Sequence, residues 1–378
     1  MKFNTFFDMR SKVYFTDLHT TPAMSLPAKL EHLIRQAGIE QLDCKDKFTA
    51  VKIHFGEPGN MAYLRHNYAA RIVAILHSLG ARVFLTDANT LYSGRRSNAI
   101  DHLNAAFEHG YNALSVPAPV IIADGLKGLD YREIPVNSAI CKTAKIGSVI
   151  ADADVIVSIN HFKGHEQAGF GGALKNIGMG SASRRGKLEL HSSSKPRIAE
   201  KHCIACGQCV KDCNYAAVTL NEQKKAVINY ELCVGCGQCI AVCRYGAAQP
   251  VWNNASEIMN KMIAEYAKAI LQNKPHFHVN FIIDVSPECD CWGSNDVPIV
   301  PNVGIAASFD PVALDMACAD LVKAAPAAVG SVINKEGKTH LTGEDKFTHL
   351  HPNTDWRTGL EHAEKIGLGT TEYELVKI

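Results

Sequence analysis

The strongest constraint on this chain is a doubled cysteine spacing. Cys203-x2-Cys206-x2-Cys209-x3-Cys213 is followed, 30 residues after its start, by Cys233-x2-Cys236-x2-Cys239-x3-Cys243. These eight thiols are most of the chain's 13 cysteines. Crowding into one tight, repeated pattern reads as a ligand set rather than a disulfide scaffold. Four-cysteine zinc sites use two separate C-x2-C knuckles. An unbroken C-x2-C-x2-C-x3-C run instead lets three thiolates on one loop grip three corners of an iron–sulfur cube while the fourth reaches another cube. Crossed ligation therefore predicts one [4Fe–4S] cluster on Cys203, Cys206, Cys209 and Cys243, and a second on Cys213, Cys233, Cys236 and Cys239. The fourth cysteine of each run is expected to open a helix. Gly207, Gly235 and Gly237 let the loops turn close to sulfide.

On either side of this block the chain alternates strand-like apolar runs with helix-period segments, the pattern of an α/β fold with a mostly parallel sheet and flanking helices. Strands are predicted over 49–54, 83–86, 120–123 and 155–159. Helices are predicted over 64–79, stopped by Gly80, and over 96–109, stopped by Gly110. The pattern resumes after the cysteines, with a helix over 257–271, a strand over 278–285, a short run over 304–307 and a helix opened by Asp310-Pro311. The tail predicts a helix over 356–366 and a strand over 373–376. The cysteine block thus reads as an insertion, an α+β domain over 196–250 between two parts of one α/β domain, 1–195 and 251–378. Its limits are Ser192-Ser193-Ser194-Lys195-Pro196 and Pro250, both turn-like.

With 378 residues, 39 Lys+Arg and 38 Asp+Glu, the chain lacks the basic excess of a nucleic-acid binder and has material for two to three domains. No apolar run reaches the roughly 20 residues of a membrane span, and Met1 to Asp8 contain no signal-peptide core. The expectation is a cytoplasmic protein with no nucleic acid and no membrane span.

A second centre follows the strand over 155–159. The segment 160–180 carries His161, Lys163, His165, Glu166 and Lys175 among six glycines. Ligands in open α/β sheets bind beyond the carboxyl ends of strands, so this loop is where chemistry is expected. Its histidines and lysines suit anion binding, metal ligation or proton transfer. Its glycines allow close backbone approach to a ligand, and a helix opening near Ala173 adds dipole support for an anion. His54 and Asp87 close earlier strands, the latter followed by Arg95-Arg96, and Asp124 and Asp284 end later ones. One cleft lined by His54, Asp87, His161, Lys163, His165 and Lys175 is the predicted catalytic site. Cys289-Asp290-Cys291 is a candidate soft-metal pair short of a closed site. Cys44, Cys141 and Cys318 read as packing residues.

From 201 to 247 the chain resembles a bacterial two-cluster ferredoxin, departing where Asn214 and Arg244 replace the usual proline after each fourth cysteine. More broadly it resembles the domain-of-unknown-function family 362, ferredoxin-containing iron–sulfur proteins common in anaerobes. The segments that carry this are Val51-Lys52-Ile53-His54-Phe55-Gly56-Glu57, Thr86-Asp87-Ala88-Asn89-Thr90-Leu91-Tyr92, His161-Phe162-Lys163-Gly164-His165, the eight cysteines, Cys289-Asp290-Cys291 and Ser308-Phe309-Asp310-Pro311-Val312-Ala313. They span about Thr49 to Val322. That resemblance implies the fold and two clusters, and no settled reaction. A shorter likeness joins His165-x3-Gly169-Phe170-Gly171-Gly172-x2-Lys175 to the lysine-bearing loop of nickel-pincer lactate racemases.

Three functions stand open at this point. An oxidoreductase would pass electrons between the clusters and a small molecule or metal over His54, His161, His165 and Lys175, with an additional metal or a small anion as further ligand and a redox protein as partner. A docking or electron-transfer protein would lack chemistry of its own. A racemase- or lyase-like metal enzyme would keep the clusters for structure.

Overall fold

The computed structural model describes residues 10–92, 94–191, 195–233, 235, 237–251, 255–337 and 340–378. Cys236, Ser192 to Ser194 and the Met1 to Asp8 segment lie outside them. An eight-stranded sheet organises the chain. Its strands are β1 (Ser11–Thr16), β2 (Phe48–Ile53), β3 (Arg82–Asp87), β4 (Val120–Ile122), β5 (Val155–His161), β6 (His276–Ile282), β7 (Gly304–Ser308) and β8 (Tyr373–Lys377). Their order is β8-β1-β7-β6-β5-β2-β3-β4. The run from β6 to β4 is parallel throughout, whereas β7 is antiparallel to both β6 and β1.

Two apolar layers hold the sheet between helices. Strand alternation sorts side chains: Val51, Ile53, Val155, Val157 and Ile159 join one core, Ala50 and Ile156 the other. The first core receives α1 (Leu26–Gln36) and α2 (His66–Ser78). The second receives α4 (Ala173–Gly178), α6 (Ser256–Leu271) and α7 (Pro311–Ala324); α3 (Ala99–Glu108) adds Ala106 to the first. Asp310 caps α7 as expected, its side chain accepting from Val312 N and Ala313 N with Pro311 in the first turn. The predicted strands and helices recur with boundaries shifted by a few residues, while β1 and α1 were not signalled by periodicity.

The sheet face toward α4 is polar at its centre. Lys52, Ser158, Asn160, His278 and Asn280 are all buried there. Ser158 Oγ lies 2.7 Å from His278 Nδ1, and Asn160 Nδ2 donates to Asn280 Oδ1 at 2.9 Å. Asn280 passes the chain on to Asp315 Oδ1 (2.7 Å), which also accepts from Ala173 N (2.7 Å), while Asp315 Oδ2 accepts from Leu174 N (2.9 Å). Asn176 inserts where β2 and β5 part: its Nδ2 donates to Ile159 O (3.1 Å) and Asn160 Oδ1 (2.7 Å), and its Oδ1 accepts from Lys52 Nζ (2.6 Å). α4 is therefore fixed at both its start and its middle.

Between α5 (Arg184–His191) and α6 lies the cysteine-rich segment. Its entry, Arg197–Ile198, pairs antiparallel with its exit, Ala248–Gln249. A small hairpin, Val218–Leu220 with Ala226–Ile228, and two short helices, Gln208–Lys211 and Gln238–Val242, complete it. One local expectation is corrected: Cys213 and Cys243 follow these helices rather than open them, because Gly207 and Gly237, both left-handed, start each helix just before the third cysteine.

Removing the Asp315 carboxylate strands three buried N–H donors, each worth about 1–3 kcal/mol when unsatisfied. Asp315→Ala should thus lose about 3 kcal/mol or more in urea unfolding, whereas Leu114→Ala, on an exposed side chain, should change stability by less than about 0.5 kcal/mol. A loss below about 1 kcal/mol at Asp315 would contradict the pinning of α4.

Candidate active site

A cavity of about 670 Å³ opens at the carboxyl ends of β2, β3 and β5. It sits where the chain order reverses: β2 leads to β3 and β4 on one side, β5 to β6 on the other. Such switch points hold ligands in open α/β sheets, and the size suits a small molecule. His54, Asp87, His161, Lys163, His165 and Lys175 all line it. All six residues taken from the sequence thus meet at one cavity, but their hydrogen bonds give them unequal freedom.

His161 has no free nitrogen. Its Nδ1 meets Asp290 Oδ2 at 2.8 Å and its Nε2 meets the Ile283 carbonyl at 2.8 Å. Lys163 Nζ lies 3.3 Å from the same Asp290 oxygen. Burial raises the Asp290 pKa, but His161 and Lys163 overcome it and hold the carboxyl well below its usual range. These two residues anchor Asp290 and do not offer a ligand or a proton. Asp87 is likewise committed, with Lys52 Nζ 2.8 Å from Oδ1. Its Oδ2 has no hydrogen-bond partner among the described residues. Burial opposes the ionised form, and Lys52 and His102 restore it.

His165 and Lys175 remain open to chemistry, and His54 less so, because its Nδ1 accepts from Gly56 N (3.1 Å). His165 Nδ1 accepts from Gln167 N (3.1 Å) and Ala168 N (3.0 Å), so the neutral ring carries its proton on Nε2. Burial, with Lys175 nearby, pushes its imidazolium form well below the usual range. His54 is kept neutral by burial and then by Arg96, whose Nη1 is 3.0 Å from Nε2. Lys175 Nζ sits 3.8 Å from Cys289 Sγ; burial works against its charge, and the thiols of Cys289 and Cys291 more than restore it.

Several site residues escaped the sequence reading. Arg96 is buried and bonds Glu57 Oε2 (2.9 Å), Tyr92 Oη (3.0 Å) and His54 at once. The pair Arg95-Arg96 was visible, yet nothing in it says that Arg95 faces solvent and Arg96 the cavity. Glu57, Tyr92, Lys187, His191 and Cys291 also line the cavity. Asp124 lies beside it, accepting from Asn89 N and Nδ2, whereas Asp284 is a turn residue with φ of 45°.

Two expectations about the loop are corrected. The amides at the start of α4 serve Asp315, so they are not available to an anion. Most of the loop's glycines answer to protein contacts: a Cβ would fall 2.1 Å from Pro287 O at Gly164, 2.3 Å from Asp315 Oδ1 at Gly172 and 2.2 Å from Ile263 O at Gly178. Gly171 is the looser case, its nearest neighbours being Lys175 Cδ at 3.4 Å and Lys163 Nζ at 3.8 Å.

Two hollows lie in the cysteine-rich segment. Cys203, Cys206, Cys209 and Cys243 line one, and Cys213, Cys233 and Cys239 the other. Backbone amides reach the sulfurs: Ala226 N to Cys203 (3.3 Å), Ala217 N to Cys213 (3.3 Å) and Ala247 N to Cys243 (3.2 Å). Every described cysteine is free of disulfide, and Cys44, Cys141 and Cys318 are buried as packing residues. His54, Cys289 and Cys291 form a group able to hold a metal ion. No described helix is long and apolar enough to cross a membrane.

This architecture, a largely parallel α/β sheet with a thiol-rich segment beside a cavity at its switch point, defines the class. Residues 49–320 match the family described as "Domain of unknown function (DUF362)", and the chain belongs to that family. No curated protein matches. Among solved structures, the chain is similar to the lactate racemase apoprotein from Thermoanaerobacterium thermosaccharolyticum (15% identity, 73% of this chain and 52% of that one, TM-score 0.36). It is also similar to a protein from Thermotoga maritima (16% identity, 77% and 57%, TM-score 0.37). The chain thus spans a little over half the length of these structures.

The site's buried histidines set a pH dependence. Burial lowers the pKa of His54, His102, His165, His276 and His278, and pushes His191 down to about 3. Acidification through the unfolded value of 6.5 gives protons to the unfolded chain that the folded one refuses, so stability falls. Asp124 and Asp315, pushed up to about 6 by burial, and Glu166 and Glu288, also raised by burial, act in the opposite sense as pH drops from about 6 to 4. At about 1.4 kcal/mol per group and pH unit, six histidines outweigh four carboxylates. The thermal midpoint should fall between about pH 7.5 and 5.5, and less steeply in His278→Asn. A midpoint that rises across this window would refute the assignment.

Proposed function

We propose that this chain is an iron–sulfur oxidoreductase in which two [4Fe–4S] clusters exchange electrons with a small anionic substrate in the cavity. The observation that carries the reading is Leu91. It lines the cavity and belongs to the same apolar cluster as Cys203, Cys209 and Cys239. The wall is reinforced by Arg184, whose Nη2 bonds both Leu91 O (3.0 Å) and Ile240 O (3.2 Å). Such adjacency suits electron transfer without a large domain motion and favours an enzyme over a docking protein.

The donor sets fit the clusters. The first hollow gathers the four thiols of the crossed set, the second gathers three of its four, and amide-to-sulfur bonds are the kind that tune cluster potentials. The segment 196–250 would act as an electron-transfer domain, and the clusters, when bound, supply one-electron steps. In the cavity, Lys175 anchors the substrate's negative charge and the neutral ring of His165 donates a hydrogen bond from Nε2–H to charge that develops on the substrate. Arg96 positions His54, and Asp290, clamped by His161 and Lys163, positions the turn that carries Cys289 beside Lys175. A redox protein outside the cavity would exchange electrons with the clusters.

Anaerobically prepared protein should hold about eight iron and eight sulfide per chain. Cys213→Ser should remove one cluster while sparing the one on Cys203, Cys206, Cys209 and Cys243. His165→Ala should slow reoxidation of the reduced clusters by small anionic acceptors by about 10²-fold or more, with Lys175→Ala weakening acceptor binding and both cluster spectra unchanged. Substoichiometric iron and sulfide after anaerobic reconstitution would overturn the clusters. Reoxidation indifferent to both variants would return the docking reading.

A further inference from the structure

One wall of the cavity gathers three soft donors from two distant segments. His54 follows β2, and Cys289 and Cys291 lie in the turn after β6. One ring nitrogen and the two Sγ atoms all lie within 4.8 Å of one another. A tetrahedral ion with metal–sulfur bonds of about 2.3 Å needs donor separations of roughly 3.8 Å, so closure requires only small side-chain movement. We propose that these residues form a mononuclear site for a borderline-soft divalent metal of the zinc type, with its fourth position open to the cavity.

The surroundings hold the donors in place. Asp290, between the two cysteines, is clamped by His161 and Lys163, and its carbonyl accepts from Glu57 N at 2.9 Å, tying the cysteine turn to the His54 loop. Gly59 and Gly293 meet so closely that a Cβ on Gly59 would lie 2.3 Å from Gly293 O. Cys289 is buried behind the wall, while His54 and Cys291 line the cavity. Ligation through a ring nitrogen of His54 replaces a present contact, that of Gly56 N with Nδ1 (3.1 Å) or that of Arg96 Nη1 with Nε2 (3.0 Å), and Arg96 keeps Glu57 and Tyr92 as partners.

Two thiolates and an imidazole reject hard cations such as magnesium and calcium. They neutralise a divalent charge, and the nearby Lys175 and Arg96 then favour an anionic fourth ligand. A small carboxylate or other oxyanion would place one oxygen on the metal and another on Lys175. This deepens the proposed function by naming what holds the substrate, and it rests on that reading only for the metal's use, not for its binding.

The test uses cluster-loaded protein given zinc and washed with a weak chelator, followed by metal analysis and zinc K-edge absorption. About one zinc per chain is expected, with two sulfurs near about 2.3 Å and one nitrogen near about 2.0 Å. His54→Gln and Cys291→Ser, both at the cavity wall, should each weaken zinc binding by about a hundredfold while iron and sulfide stay constant. If Cys289→Ser does not fold, these two variants carry the test alone. Cys213→Ser should lose a cluster and keep its zinc, which separates failure of this site from failure of the electron-transfer reading. No zinc uptake, a four-sulfur shell, zinc binding unchanged in both wall variants, or a disulfide joining Cys289 to Cys291 would each overturn the proposal.

Discussion

The structure depends on satisfying a polar seam that the sheet cannot avoid burying. Lys52, Ser158, Asn160, His278 and Asn280 occupy the centre of one sheet face, where an unpaired polar atom costs as much as several methylene groups gain. The seam is closed from α4 and α7 by Asn176 and Asp315. That closure makes the cavity floor rigid. Lys175 is one residue from Asn176 and two from Ala173, so its backbone is held by the same bonds that rescue the seam. Position at the candidate site and stability of the core are therefore one problem with one solution.

Charge is handled differently at the two ends of the cavity. Toward β3, Asp87, Lys52, Arg96 and Glu57 form a neutralised network, buried and internally paired. Toward the Gly-rich loop, Lys175 faces sulfur rather than a carboxylate. An incoming anion therefore meets Arg96 already discharged into salt bridges and Lys175, whose partner is soft and weakly hydrogen bonding. The asymmetry directs negative charge to Lys175, beside Cys289.

Much of this was legible in the sequence, for reasons that differ by residue. Hydrophobic periodicity and Gly80, Gly110 and Asp310-Pro311 marked elements because they act locally. The cleft was legible because candidates were taken from successive strand ends, and parallel strands bring such ends to one edge. Cysteine spacing sorted the thiols into the two groups that line the two hollows, with Cys236 outside the described residues. What stayed hidden was pairing. His161 looks like His165 in sequence, and only the arrival of Asp290 from 129 positions away and of the Ile283 carbonyl from 122 ties up its two nitrogens. The loop glycines were read as approaches to a ligand, whereas the neighbours that demand them, Pro287, Asp315 and Ile263, come from later segments. The meeting of His54 with Cys289 and Cys291 is likewise a tertiary fact that no local pattern encodes.

The short antiparallel pairing of Arg197–Ile198 with Ala248–Gln249 has a consequence for how such a chain comes together. Because the two ends of the cysteine-rich segment are zipped at its base, the entropy of closing that loop is spent at the neck, whatever the state of the residues beyond it. The strands on either side, β5 and β6, can pair as though joined by a short hinge. Assembly of the sheet is thereby insulated from whatever happens at the thiols, so metallation can come late, onto a scaffold already built.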